Sequence, residues 1–447
     1  MKSAESSSLN RTEMTGTVSP VIRIAFYLFV LAIPFETAFL ESASSIGTVP
    51  MMMGIALVGI ALLQPRICFK RPPTAFWCFA GYIFVCLILG MTQDLIYARP
   101  VLTWLSTLTQ MLVLLWIAFN LFKYPEICKG ALLVHVAACA VLSIFMLTGI
   151  SMVDSGHGRA TLFGDQVNTL AGMLAIGLLA LVGLTYGRGK VERNMIILAW
   201  VLFPVIGTAL VMTGSRGRLI GLVFGIFLLV IMKDGGWRTK LKIGLVAALG
   251  IVFLISVTLT NDVMRVRLER SFYEGDTAGR DEILARAMDM FYEEPLLGWG
   301  PWRNRVELGS RVGWVQRSAH NLYLAVLIEA GLLGGIPFFA GLFLVVKAAW
   351  NARIGREGAL PMAMVGYLLL TGISGQWHNR KLFWVVLAYA LASAWDVRKM
   401  ARPISTQSFG TINNMVQGAG HSASSSLTGE ALPQTASVRP RRPTQSS

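Results

Sequence analysis

The sequence predicts an all-α, polytopic membrane protein of about twelve transmembrane helices, with a large periplasmic loop containing helix between spans nine and ten. Three observations predict it. The chain of 447 residues is 54% hydrophobic and only 14% charged, against about 25% charged in a soluble domain, so a soluble fold could not wet its own surface. The apolar residues come in blocks of the roughly 20 residues that a spanning helix needs. Those blocks lack the alternation over about 10 residues that marks an outer-membrane barrel. A soluble enzyme, a coiled coil and a disordered chain are excluded with the same arithmetic.

The elements follow in order. Residues 1–20 are a polar lead, expected in the cytoplasm; it is long for a cleaved signal peptide, and Pro34 and Glu36 interrupt the apolar run behind it. Transmembrane helices 1–9 occupy residues 21–260, at about 21–40, 46–63, 74–93, 101–122, 127–150, 167–186, 195–213, 218–232 and 241–260. Spans seven and eight are separated only by residues 214–217, which makes them a tight hairpin. Pro34, Pro204 and Pro337 fall inside spans, where a proline kinks a helix without abolishing it. Residues 261–320 form the loop domain, and its stretch 281–294 reads as an amphipathic helix. Asp281 and Glu282 suit its first turn, Ile283, Leu284, Ala287, Met288 and Phe291 give an apolar side, and Pro295 ends it. Transmembrane helices 10–12 lie within 321–402, at about 321–346, 359–375 and 382–397. The tail 403–447 is rich in Ser, Gly, Thr and Pro and reads as disordered and cytoplasmic. The five cysteines fall in spans or on the inward side, with no spacing that suits a disulfide framework or a metal site.

Lys and Arg set the orientation. With the N-terminus inside, the inward loops carry eighteen of these residues, among them Arg188, Lys190 and Arg402, and the short outward loops six. Both termini are therefore expected in the cytoplasm. The net charge of +15 is then chiefly a topology signal, and nucleic acid is not an expected partner, because the basic residues are divided among many loops.

The outward side chooses Arg over Lys by fourteen to one, whereas the inward loops carry nine of each. Guanidinium is a rigid, always-charged fork that matches phosphate or carboxylate oxygens in pairs, which ammonium does not. The loop also holds ten acidic residues, so many of its arginines have ion-pair partners to hand on a solvated surface. Arg216 stands apart, because it sits in a T-G-S-R-G-R turn against the charge bias; Arg218 is a helper or a headgroup anchor. His320 opens span ten next to the Arg-rich loop, where a neutral imidazole can accept a hydroxyl proton or simply cap the helix. His378 is a rival in the last outward loop, His135 a packing residue within span five, and His157 a loop-surface residue. Trp299, Trp302 and Trp314 can stack on sugar rings or anchor at the interface. The sequence has no G-x-x-x-x-G-K-[ST] loop, no H-E-x-x-H and no D-x-D, the nearest being Glu274-Gly-Asp276. Arginines rather than Mg²⁺ are thus expected to neutralise any diphosphate, with no metal and no cofactor.

Four stretches carry a family resemblance: T-G-S-R-G at 213–217; G-R-D-E-I at 279–283 with E-P-L-L-G-W-G at 294–300; the H-N, nine residues, G-x-x-G pattern within 318–335; and R-A-T-L-F-G-D-Q-V-N at 159–168. In this order they resemble the bacterial O-antigen ligase and O-antigen polymerase superfamily over residues 20–400. The resemblance implies a metal-independent, inverting, membrane-embedded glycosyltransferase in the bacterial inner membrane, with a periplasmic active site. Its donor would be a glycan on undecaprenyl diphosphate. Its acceptor would be the lipid A core for a ligase, or a second lipid-linked glycan for a polymerase; the H-N pattern favours the ligase. By position, Arg216 and Arg280 would bind the diphosphate and His320 would act at the acceptor hydroxyl, with Arg159, Arg218, Asn321, Trp299 and Trp302 as substrate contacts. A transporter of lipid-linked saccharide is the rival of a different class; it would need charged groups along a cavity through the spans and often internal repeats.

Overall fold

Every predicted apolar block carries a helix. The structure, a computed structural model, describes residues 17–36, 48–154, 159–163, 166–186, 193–233, 235–273 and 279–400. The lead up to residue 16, His157, Arg188, Lys190, Glu274, Asp276 and everything from residue 401, including Arg402 and the tail 403–447, lie outside the described residues.

The helices are α1 (Pro20–Ala32), α2 (Val49–Ala61), the single turn α3 (Pro65–Cys68), α4 (Thr74–Met91), α5 (Ala98–Phe122), α6 (Pro125–Thr148), α7 (Val167–Tyr186) and α8 (Arg193–Met212). They continue with α9 (Arg216–Ile231), α10 (Trp237–Thr260), α11 (Asp262–Tyr273), α12 (Arg280–Glu293), α13 (Arg303–Arg311), α14 (Leu322–Ala352), α15 (Leu360–Gly372) and α16 (Lys381–Met400). Local chemistry sets many of the ends. Proline opens α1, α2, α3, α6 and α15, where its missing N–H costs nothing. Gly149, at φ 75°, closes α6. Asn321 caps α14, its side-chain oxygen accepting from the Tyr323 and Leu324 amides at 2.9 and 3.0 Å.

Among the described residues, seven helices are long and apolar enough to cross a bilayer, namely α4, α5 with the turn before it, α6, α7, α8, α10 and α14; α1, α2, α15 and α16 are shorter apolar helices. The chain is a multi-pass, mainly helical membrane protein. α7 lies at its centre, with 83% of its apolar window buried, and α10 at the periphery, with 11% buried. Around α7 pack α6, α8, α9 and α15, while α14 lies along α4.

Two expectations need local correction. Pro34 does not kink a long first span: the α-helix ends at Ala32 and Ile33–Phe35 is a 3-10 turn. The chain is also not wholly α, because Met152–Asp154 and Ala160–Leu162 form a small antiparallel hairpin that pairs Val153 with Thr161.

In the loop domain α12 forms as expected, but it buries Ile283, Ala287 and Met290 against Leu308, Ala319, Leu324, Ala325 and Ile328. Leu284 and Met288, expected on the apolar side, face outward at 43% and 40% exposure. The buried positions recur every three or four residues, a stripe too narrow to include their neighbours.

The loop is also stitched into the bundle. α14 is broken at Gly331 (φ 58°, ψ −160°) rather than at Pro337. The loop segment 295–300 fills the break: the Trp299 and Gly300 amides donate to the Ile328 and Glu329 carbonyls at 2.8 and 2.9 Å, and the Leu332 and Leu333 amides donate to Pro295 and Leu296 at 2.8 and 3.1 Å. These bonds replace the ones a straight helix would make, so irregular backbone is satisfied by protein at membrane depth. Gly298 and Gly331 touch here backbone to backbone, and a Cβ on Gly331 would collide with the Leu296 carbonyl.

Candidate active site

The hairpin between α8 and α9 is built by Gly214, whose φ of 64° turns the chain, followed by Ser215 as the first cap of α9. This puts Arg216 and Arg218 in the first turn of α9, at the positive end of a helix, where a cation is disfavoured unless an anion is to be bound. Arg280 has the same placement as the first residue of α12, behind Gly279 at φ 69°.

Four arginines from different elements meet there. Arg159, Arg216, Arg267 and Arg280 line a small cavity of about 30 Å³ with Arg218, Asn168 and Ser374, and no carboxylate among the described residues lines it. Asn168, at the start of α7, is the hub. Its side-chain oxygen accepts from Arg159 Nη2 at 3.2 Å and Ser215 Oγ at 2.8 Å, and its backbone carbonyl accepts from Arg218 Nε at 3.1 Å. Arg159 Nε also donates to the Thr213 carbonyl at 3.2 Å, and Arg216 Nη1 to the Arg267 carbonyl at 2.5 Å. Burial, followed by the charges of Arg267, Arg280 and Arg216, lowers the Arg159 pKa to about 10. Arg280 is lowered by burial and then by Arg216. Like charges in this concentration are unfavourable until an anion joins them.

A second, roomier cavity of about 140 Å³ adjoins the first, sharing Asn168, Arg218 and Ser374 as walls, and is lined further by His320, Arg305, Arg380, Gln166, Trp377 and Asn379. Arg218 is buried at 4% exposure between them, its Cζ 4.4 Å from the Trp377 ring centroid and its Nη1 3.3 Å from the Thr371 carbonyl. His320 stands just before the cap of α14 with φ 49°, a left-handed conformation that costs energy for any residue with a Cβ. Burial, then Arg317, then Arg280 push its pKa down to about 4, so its imidazole is neutral at physiological pH.

Arg216, Arg280 and His320 thus line two adjoining cavities with a common wall, and the Arg280 charge reaches His320. Arg159 and Arg218 join them. Asn321, next to His320 in the chain, lines neither cavity, and its side-chain oxygen is taken up by the α14 cap. Trp299 and Trp302 line neither cavity. The Trp299 indole donates to the Met290 carbonyl at 2.9 Å and its ring lies 5.4 and 5.1 Å from the guanidinium carbons of Arg303 and Arg311. Trp302, at φ 70°, packs half-buried at the start of α13, and Trp314 is exposed. His378 is buried with its Nε2 3.7 Å from Glu329 Oε2, outside both cavities, and His135 is buried in α6. The sequence reading missed Asn168, Arg267, Arg305, Trp377 and Arg380 as individual residues. For Asn168 and Arg267 the signal was faint: one closes the fourth motif, and the other is one of nine loop arginines.

The sequence has counterparts among known proteins. A family model described as O-antigen ligase matches residues 197–339, a stretch that carries the Arg216 hairpin, the whole loop domain, His320 and the break in α14. Over that stretch the chain resembles the O-antigen ligase family. Among curated proteins it is similar to an O-antigen ligase of Pseudomonas aeruginosa, with 26% identity over 221 residues, covering 49% of this chain and 52% of that protein. The chain therefore spans about half the length of the curated relative that it matches. Within the matched stretch and around it, the motif residues converge on the polar cavities and on the seam where the loop enters α14.

Proposed function

We propose that this protein is an inverting, metal-independent glycosyltransferase that moves a glycan from undecaprenyl diphosphate to the lipid A core oligosaccharide. The observation that carries this reading is the arginine cavity beside a neutral imidazole. An acceptor hydroxyl attacks the anomeric carbon from the face opposite the diphosphate, so the configuration inverts. The carbon–oxygen bond to the diphosphate breaks and its electron pair leaves with the lipid diphosphate. Arg216 and Arg280, supported by Arg159 and Arg267, take up the growing negative charge, the work that a divalent metal does elsewhere. His320 accepts the hydroxyl proton. Arg218 forms the wall between the compartments and orients the diphosphate.

The same reading sets the chain in the bacterial inner membrane. The four short apolar helices and α9 complete twelve spans, both termini are cytoplasmic, and the site is periplasmic. Support comes from the site itself, which gathers residues from connections that charge placement assigns to one side.

The deciding experiment incubates purified protein with lipid-linked glycan and lipid A core glycolipid in excess chelator. A covalent glycan–core product of inverted configuration is expected. Loss of product that Mg²⁺ restores would overturn metal independence, and movement of lipid-linked glycan without bond formation would overturn the enzyme. Elongation of a second lipid-linked glycan instead of the core identifies a polymerase with the same donor.

A further inference from the structure

The compartment beside His320 has more positive charge than a neutral acceptor sugar requires. Arg305 and Arg380 line it, and neither belongs to the diphosphate cavity. Behind each stands a carboxylate that lines neither compartment, ion-paired with Arg380 and acting on Arg305 only through its charge. Arg380 Nη1 donates to Glu36 Oε2 at 3.0 Å, and the Glu36 side chain is only 13% exposed. Arg305 lies with its Cζ 4.2 Å from the Trp104 ring centroid, and the Trp104 indole N–H donates to the buried Glu329 carboxylate at 2.6 Å. Burial lowers the Arg305 pKa and the Glu329 charge partly opposes this, so the carboxylate lies within electrostatic reach of the guanidinium. The Arg305 guanidinium donates no hydrogen bond to any described residue, so its donors are directed at the cavity or at nothing. Two pre-set guanidinium forks around an imidazole form a receptor for an anion.

Resting on the glycosyltransferase reading, we propose that the second compartment recognises an anionic group carried by the acceptor close to the attacked hydroxyl, gripped by Arg305 and Arg380, with Glu329 as the positioning residue behind Arg305. The anion is either a phosphate ester or the carboxylate of an acidic sugar. Besides holding the acceptor, such a group sets specificity, because a neutral acceptor leaves the Arg305 fork without an anion in a half-buried site, while Arg380 keeps only its contacts with Glu36 and Gln166.

The test compares purified wild-type protein on three acceptors: the native core glycolipid, the same glycolipid after phosphatase treatment, and the same glycolipid after carboxyl reduction. One of the two treatments is expected to raise the acceptor KM roughly tenfold or more, and which one does so identifies the anion. Arg305→Gln, Arg380→Gln and Glu329→Gln are expected to raise the KM for native acceptor by a similar factor while the donor KM stays at the wild-type value. The donor KM doubles as the folding control, since a misassembled site loses both. The acceptor whose anion has been removed should no longer distinguish the Arg305 and Arg380 variants from wild type. Equal use of all three acceptors by wild type overturns the proposal, as does a rise in donor KM with the acceptor KM unmoved. Absence of transfer to every acceptor overturns the catalytic reading beneath it, so the two failures look different.

Discussion

His320 is held at an unusual setting by burial and two neighbouring arginines, Arg317 and Arg280. In the free protein its imidazole is neutral above about pH 4. As pH falls from about 6.5 toward about 4, the unfolded chain takes up a proton that the folded chain refuses, so this group's contribution to stability declines over that window. The same logic predicts the kinetics. The acid limb of kcat/KM for the free enzyme should lie near pH 4, and the acid limb of kcat should lie higher, because a bound diphosphate brings negative charge against the imidazole. Arg280→Ala should raise the kcat/KM limb by removing one repelling charge. Coincident limbs in wild type would show that His320 does not face the donor's charge.

Substitution gives a second measurement at this scale. Arg216→Ala and Arg280→Ala should each lower the rate of glycan transfer by about 10²–10³, and His320→Ala by about 10²–10⁴. Arg216→Lys should fail nearly as badly, since a point charge cannot replace a fork. Membrane insertion should be unaffected, and near-normal transfer by purified His320→Ala protein would remove the imidazole from the chemistry. Arg216 stood out in the sequence because charge on the disfavoured side of a membrane is costly and asks for a reason, His320 because it opens a span beside the Arg-rich loop, and Arg280 only through the family resemblance. Asn168 and Trp377 were not, because an Asn at a helix start reads as a cap and a Trp near a membrane boundary reads as an anchor. Only the fold reveals that Asn168 receives hydrogen bonds from Arg159, Ser215 and Arg218.

At the scale of the element, α14 is the instructive case. The G-x-x-G spacing after H-N stood out in the sequence, yet nothing in it marked Gly331 as a break, and the nearby Pro337 was the more obvious kink. The cause lies 30-odd residues earlier: the break exists because segment 295–300 supplies the missing partners. A long-range backbone exchange leaves no periodicity to read. Gly331→Ala should therefore destabilise the protein by at least about 2 kcal/mol, through positive φ and collision with the Leu296 carbonyl. Gly59→Ala, at a helical position where a Cβ meets nothing within 4 Å, is the control and should be neutral or slightly stabilising. Thermal unfolding in detergent compares them, and equal midpoints would show that the seam carries no strain.

For the whole molecule, hydropathy and charge placement gave the positions of the helices well, since apolar blocks leave a bilayer-spanning chain few alternatives. They could not give the arrangement of those helices around α7, which depends on side-chain fit between distant segments. Nor could they show that four outward connections share one cavity. The convergence has a thermodynamic signature. Mutually repelling arginines should be relieved by a bound anion, so pyrophosphate without metal should raise the unfolding midpoint. The expected gain is about 2.7 kcal/mol at a hundredfold excess over Kd. Arg216→Ala and Arg280→Ala should abolish the gain, and an unresponsive wild type would argue that the cavity does not hold a diphosphate.

The exchange of backbone bonds between segment 295–300 and α14 also constrains biogenesis. A nascent hydrophobic segment normally leaves the insertion machinery with its amides already satisfied. This one cannot, because some of its partners belong to segment 295–300, which is synthesised before it. Completion of α14 therefore waits for that segment to dock, and His320, eleven residues upstream of the break, settles only when the docking is done.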